Sequence, residues 1–296
     1  MTTDNLPGSS QTDEVLQRAR QQIAERKDVQ RELHVSAGER PWRIMFLSLL
    51  AVLVLGLVLW PGAPLEWKMY AAVHGVCAQV HNVQLGGMQL PLCARNTGIY
   101  GSFLLSGLYL LALGRARAGR LPPIAITALL VLFVIVMGVD GVNSMLRDMF
   151  LPHLYVPRND LRTLTGIGTG TALGVALLLI LNLALRRDID DDLRVLKNWR
   201  ELGGLLGLNL LLWLGIYGNV SLAYWPIAIV AWIGIVAILF CVNLLVIGLL
   251  MRFENAVTRF SQLARPGVIA LVFTLVELGL MSWGRFALEA QGLIIN

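Results

Sequence analysis

The chain has 296 residues, of which 56% are apolar and 15% charged, and a formal net charge of +5. An average soluble domain carries roughly 25% charged residues, and several apolar runs here reach the ~20 residues that cross a bilayer core. The balance excludes an ordinary soluble domain and predicts an all-α fold, a multi-pass transmembrane bundle of about seven spans.

In chain order, residues 1–41 form a polar tail with no apolar h-region or cleavage site, so no signal peptide is expected there. From Ser10 to about Leu33 the tail reads as a surface helix capped by Ser10 or Thr12. Its apolar residues Leu16, Ala19, Ile23, Val29 and Leu33 drift off a heptad. A helix whose basic residues lie against anionic headgroups is favoured over a coiled coil.

The expected spans are 42–60, 97–113, 122–139, 164–185, 202–220, 224–251 and 266–285. Pro122 and Pro266 suit first helical turns, and Trp42, Trp60, Tyr224 and Trp225 suit headgroup-level anchors. These runs divide the chain into the tail, a four-span part over 42–185, a connector over 186–201 and three further spans over 202–296. Of the 24 Lys and Arg residues, an N-in, C-out topology leaves only Lys68, Arg95, Arg147, Arg158, Arg162 and Arg285 outside. That asymmetry obeys the positive-inside bias. It explains the net charge without nucleic-acid binding and places the chain in the cell membrane.

The first outer segment, "CAQVHNVQLGGMQLPLCARNTGIY", holds Cys77 and Cys93 on either side of a Gly86-Gly87 turn. On an oxidising side the pair is expected to form a structural disulfide, worth about 3 kcal/mol for a loop of this size. The alternative is a metal. One interfacial helix over 65–83 would put His74, Cys77 and His81 on one face, with Cys93 or Asp140 completing four ligands for zinc. Zinc and a disulfide compete for the same sulfurs, and no cofactor is the leading expectation. Cys241 reads as a small apolar side chain inside a span.

The second and fourth spans begin alike, with Thr-Gly-Ile at Thr97–Ile99 and again at Thr165–Ile167, each soon after an arginine. This suggests a parallel repeat. Gly98, Ser102 and Ser106 recur at every fourth position, as do Gly166, Gly170 and Gly174. Small faces of this kind let helices approach closely in lipid, so the two spans should cross in contact. That crossing would bring Arg95 and Arg162 near Asp140. With Asn143 and Asn159 they form a candidate polar or anion site, its excess positive charge balanced by Asp160, a headgroup or a carboxylate ligand.

In the connector, Arg186 and Arg187 read as inner anchors and Asp190 to Asp192 as caps of a short surface helix. Glu277 is the acid well inside a span, either a proton carrier or a static group bonded to an inward polar residue such as Asn219. The static reading is favoured. Arg285 should pair with Glu289 one turn on.

Across about 70–185 the chain resembles a family of predicted prokaryotic membrane proteins of unknown function. Its pattern is Cys-His-Gln, then Cys-Ala-Arg-Cys-Thr-Gly-Ile-Tyr, then Asp-Gly and Asn-x-Leu-Arg-x-x-Thr-Gly. Matching residues are Cys77, Gln79, Cys93, Ala94, Arg95, Thr97, Gly98, Ile99, Tyr100, Asp140, Gly141, Arg162, Thr165 and Gly166, with Asn159 one position displaced. Ala78 and Asn96 replace the family's histidine and third cysteine. The resemblance therefore implies a retained scaffold with part of any thiol or metal chemistry lost.

With no nucleotide loop, catalytic triad or haem motif, no catalytic residue is assigned. The leading functional expectation is a non-catalytic accessory or assembly subunit that binds lipid, a membrane-protein partner or a second copy through its outer loops. A redox protein using Cys77 and Cys93 and a small-solute or proton-coupled transporter are the alternatives.

Overall fold

A computed structural model describes residues 9–77, 81–218 and 220–293. The helices are α1 (Ser9–Ser36), α2 (Glu39–Leu59), α3 (Leu65–Val73), α4 (Ala94–Ala112), α5 (Ile124–Asp148), α6 (Asn159–Leu185), α7 (Trp199–Tyr217), α8 (Tyr224–Leu250) and α9 (Ala264–Ala290). Four short strands accompany them: β1 (Asn82–Leu85), β2 (Met88–Cys93), β3 (Ala118–Arg120) and β4 (Asp190–Arg194). Helices α2 and α4 to α9 coincide with the apolar runs. Among the described residues, five segments are long and apolar enough to cross a membrane: Glu14–Leu59, Ile124–Asp148, Asn159–Leu185, Ser221–Leu250 and Phe260–Ala290. The 19-residue α4 and α7 fall outside that group.

The tail helix forms as expected, and Gly38, in the left-handed region at φ 69°, separates it from α2. The candidate caps Ser10 and Thr12 lie outside the described side chains. No residue of α2 is buried, although it touches α9 and α8 through pairs such as Phe46 on Phe240. A helix this apolar with no buried face needs lipid around it.

Two local expectations fail. The segment after α3 does not continue as a helix to residue 83: α3 stops at Val73, and a hairpin follows. Gly86 and Gly87, at φ 60° and 81°, make the two-residue turn that joins antiparallel β1 and β2. Leu85, Leu90 and Leu92 are buried beneath it. The expected surface helix at Asp190 is instead β4, paired in parallel with β3. Asp190 Oδ1 accepts the backbone N–H groups of Asp192 and Leu193, a turn that competes with helix. Burial of Val195 and Leu196 then draws the chain out.

Helix α4 lies at the centre, packed on α6, α7 and α8. Its contact with α6 is backbone against backbone. A methyl group added at Gly98 would strike the carbonyl of Thr163, and one at Gly166 the carbonyl of Arg95. One turn inward, Gly170 meets the Ile99 carbonyl, while Ser102 Oγ donates to the Ile167 carbonyl at 3.0 Å. At Gly174 an added methyl would lie 2.8 Å from Ser106 Cβ. When the two Thr-Gly-Ile segments are superposed, each contact maps onto its partner with the helices exchanged. The pair is therefore parallel and locally two-fold.

Asn209 of α7 closes the C-terminal end of this contact, donating to Ser106 Oγ at 3.3 Å and Thr171 Oγ1 at 3.2 Å. Replacing Gly170 with Leu should lower stability by about 1–3 kcal/mol or more through overpacking, read as a fall in the thermal midpoint of detergent-purified protein. Gly56→Leu on α2, where nothing lies within 4 Å, should leave the midpoint unchanged.

Candidate functional site

The C-terminal end of α5 presents Asp140, Ser144 and Asp148 at successive turns, facing the first turns of α4 and α6. Asp140, 1% exposed, accepts from Arg95 Nη2 at 2.5 Å, from the Tyr155 hydroxyl at 2.6 Å and from Thr165 Oγ1 at 3.4 Å. Burial, then the bond to Asp140, pushes the Tyr155 phenol up to about 12. Asn143 fixes the loop that carries Tyr155. Its Oδ1 accepts the N–H of Leu154 at 2.7 Å and its Nδ2 donates to the Tyr155 carbonyl at 2.9 Å.

Ser144 Oγ lies between the two arginines, 3.1 Å from Arg95 Nη2 and 3.3 Å from Arg162 Nε. Arg162 Nη1 reaches Asn159 Oδ1 at 3.3 Å, and Asn159 in turn donates to the Asn82 carbonyl at 3.2 Å. The expected set Arg95, Asp140, Asn143, Asn159 and Arg162 is thus brought together. Asp160 is not part of it, because it pairs with its neighbour Arg158 at 2.5 Å.

Of these, Arg95, Ser144 and Arg162 line a cavity of about 460 Å³ together with Cys77, His81, Cys93, Met145, Asp148 and Met149. No disulfide joins Cys77 and Cys93, so the expected bridge is absent. The two side chains instead share a thiol hydrogen bond, which, with burial, pushes the Cys93 thiol well above its ordinary value. His81 Nε2 faces Asp148 Oδ2 at 3.4 Å. Burial, then the charge of Arg162, holds the imidazole below its ordinary value.

The four-ligand zinc set is not assembled. His74 is buried elsewhere, its Nε2 2.8 Å from Glu289 Oε2 and its ring stacked on Phe286. Among the described residues no three His, Cys, Asp or Glu side chains are grouped to hold a metal ion. The physical reason is that α3 ends before Cys77, which removes the common helical face the set required.

Arg285 does pair with Glu289, at 2.8 Å, and also donates to the Cys77 carbonyl. Glu277 accepts from Asn243 Nδ2 at 2.8 Å, so its partner comes from α8; Asn219 lies outside the described residues. Sequence reasoning missed Ser144 and Tyr155. Ser144 was signalled by its spacing one turn after Asp140, whereas nothing local marked Tyr155.

Residues 77–176 match the family described as "Predicted membrane protein (DUF2085)", whose function is unknown. The DUF2085 segment contains both cysteines, both arginines, Asp140 and the whole glycine contact between α4 and α6. No curated protein and no solved structure matches the chain.

Removing the buried carboxylate in Asp140→Ala should cost about 3–5 kcal/mol, because the Arg95 guanidinium loses its counter-ion. The unfolding midpoint in detergent checks this. The folded state also disfavours protonated His81. Its contribution is fully present above the unfolded value near 6.5 and is lost as pH falls through the lower folded value. The midpoint should therefore drop between pH 7.5 and 5.5, by less in His81→Gln.

Proposed function

We propose that this is a seven-span, N-in and C-out protein of the cell membrane with a non-catalytic accessory or assembly role. Its outer cavity binds an anionic group, either a lipid headgroup or a free anion of the same chemistry. Arg162 carries the reading. It is 4% exposed and, among the described residues, its guanidinium forms no ion pair, being held by the neutral side chains of Ser144 and Asn159. A buried charge without a counter-ion is costly, so the site favours an incoming anion.

Three further features support it. Arg95 adds a second guanidinium whose buried Nε has no partner among the described residues. Helices α4 and α6 run parallel, so their positive dipole ends both point at the cavity. Asp148, the opposing charge on the wall, is half exposed and already faces His81. The volume lies within the roughly 300–1,000 Å³ of small-ligand sites.

The span count extends the five long helices to α4 and α7. Nineteen residues rise ~28 Å, close to the ~30 Å apolar core, and the central packing of α4 supports counting it. Orientation rests on the distribution of Lys and Arg. The bonding of Glu277 to Asn243 and Thr274 through one amide supports the static reading of that acid over a transport role.

Detergent-purified protein should bind dioctanoyl phosphatidylglycerol at least tenfold more tightly than dioctanoyl phosphatidylcholine, and Arg162→Gln should erase that preference. Inorganic phosphate binding as tightly as the anionic lipid would assign the site to a free anion. Equal binding of anionic and zwitterionic lipid together with no phosphate binding, or an unchanged preference in the variant, would overturn the proposal. In a cysteine-free background, a membrane-impermeant maleimide should reach Leu154→Cys from outside and Arg20→Cys solely from the cytosol.

A further inference from the structure

The lining of the cavity combines two arginines with four sulfur-bearing side chains. Cys77 follows α3, Cys93 ends β2, Met145 lies in the last turn of α5 and Met149 just past its end. The two thiols lie within hydrogen-bonding reach of each other but are not joined by a disulfide. Cys93 is also the N-cap residue of α4; the Cys77 contact and burial raise its thiol pKa, so the pair keeps its protons until a thiophilic cation displaces them. Arg95, two positions on, lines the same cavity.

Thiolates and thioethers are the ligands that soft cations select, whereas carboxylates and water suit hard ones. We infer that Cys77 and Cys93 form a two-thiolate site for a soft monovalent cation of the copper(I) type, with the Met145 and Met149 thioethers beside it. Zinc is a poorer match. It takes four nitrogen, sulfur or oxygen ligands, and no third His, Cys, Asp or Glu is grouped with this pair among the described residues. A monovalent soft cation is satisfied by two sulfurs.

The balance is simple. Binding breaks two S–H bonds and forms two metal–sulfur bonds; two protons leave through the open cavity and no electron moves. The resulting complex carries one negative charge. Arg95 and Arg162 line the same cavity, and Arg162 forms no ion pair among the described residues. His81, whose Nε2 faces Asp148 at 3.4 Å, lines the same cavity. The inference goes beyond the anion-binding reading and does not depend on it, since the thiol pair exists whether or not an external anion binds.

The test uses the full-length reduced protein in detergent, with silver(I) as an air-stable probe and copper(I) buffered by a competing chelator. One metal ion per chain should survive desalting in the wild type and in Cys241→Ser. Cys77→Ser and Cys93→Ser should each weaken binding at least tenfold, and Met145→Leu/Met149→Leu by a smaller factor. A readout that needs no variant guards against misfolding: bound silver(I) should protect Cys77 and Cys93, but not Cys241, from alkylation mapped by peptide mass spectrometry. Binding unchanged in both serine variants, binding lost in Cys241→Ser, no protection of the pair, or zinc held as tightly as copper(I) would overturn the inference. Anionic-lipid binding persisting without metal binding would sink this inference alone, and the reverse result would sink only the anion-binding proposal.

Discussion

The backbone contact between α4 and α6 is the constraint on which the rest of the molecule depends. In lipid no hydrophobic drive pulls helices together, so association relies on close packing and interhelical hydrogen bonds. Gly98, Gly166 and Gly170 remove the side chains that would hold the two backbones apart, and Ser102 spends its hydroxyl on the opposite helix. Once this pair is set, α7 docks through Asn209 onto both members at once, and α8 covers α4 from the other side.

The same contact creates the electrostatic problem at the N-terminal ends of α4 and α6. Two parallel helices placed side by side bring their positive dipole ends together, and each also carries an arginine in or near its first turn. Asp140 answers one of these charges from the neighbouring α5, with Tyr155 and Thr165 completing its hydrogen bonds. Arg162 is answered by neutral groups alone among the described residues. The cavity is therefore a consequence of how the helices pair, and its chemistry follows from which charges that pairing leaves uncompensated.

Much of this was legible in the residues. The apolar runs located the helices, the small-residue spacing on Gly98 and Gly166 foretold their crossing, and the crossing foretold that Arg95, Asp140 and Arg162 would meet. The Gly86-Gly87 turn was also readable. The four-ligand metal set was misread, because it required one helical face across residues 65–83, and local pattern does not specify the chain's course there; the two cysteines do meet, but without a disulfide. A hairpin there depends on burying Leu85, Leu90 and Leu92 against α3 and α8, which are contacts distant in sequence. Tyr155 was invisible for a similar reason, since it reaches Asp140 only through the loop that Asn143 pins.

The sequence by itself determined that this chain belongs in a membrane, where its long apolar helices run, and which two of them approach most closely. Those properties are set by hydropathy and by the absence of side chains at regular intervals, and both are local. Only the tertiary structure decided that Asp160 turns away, that His74 is committed to Glu289, and that Cys77, Cys93 and Arg162 share one cavity. Those outcomes depend on the distances between segments far apart along the chain, and such distances exist only once the helices have packed.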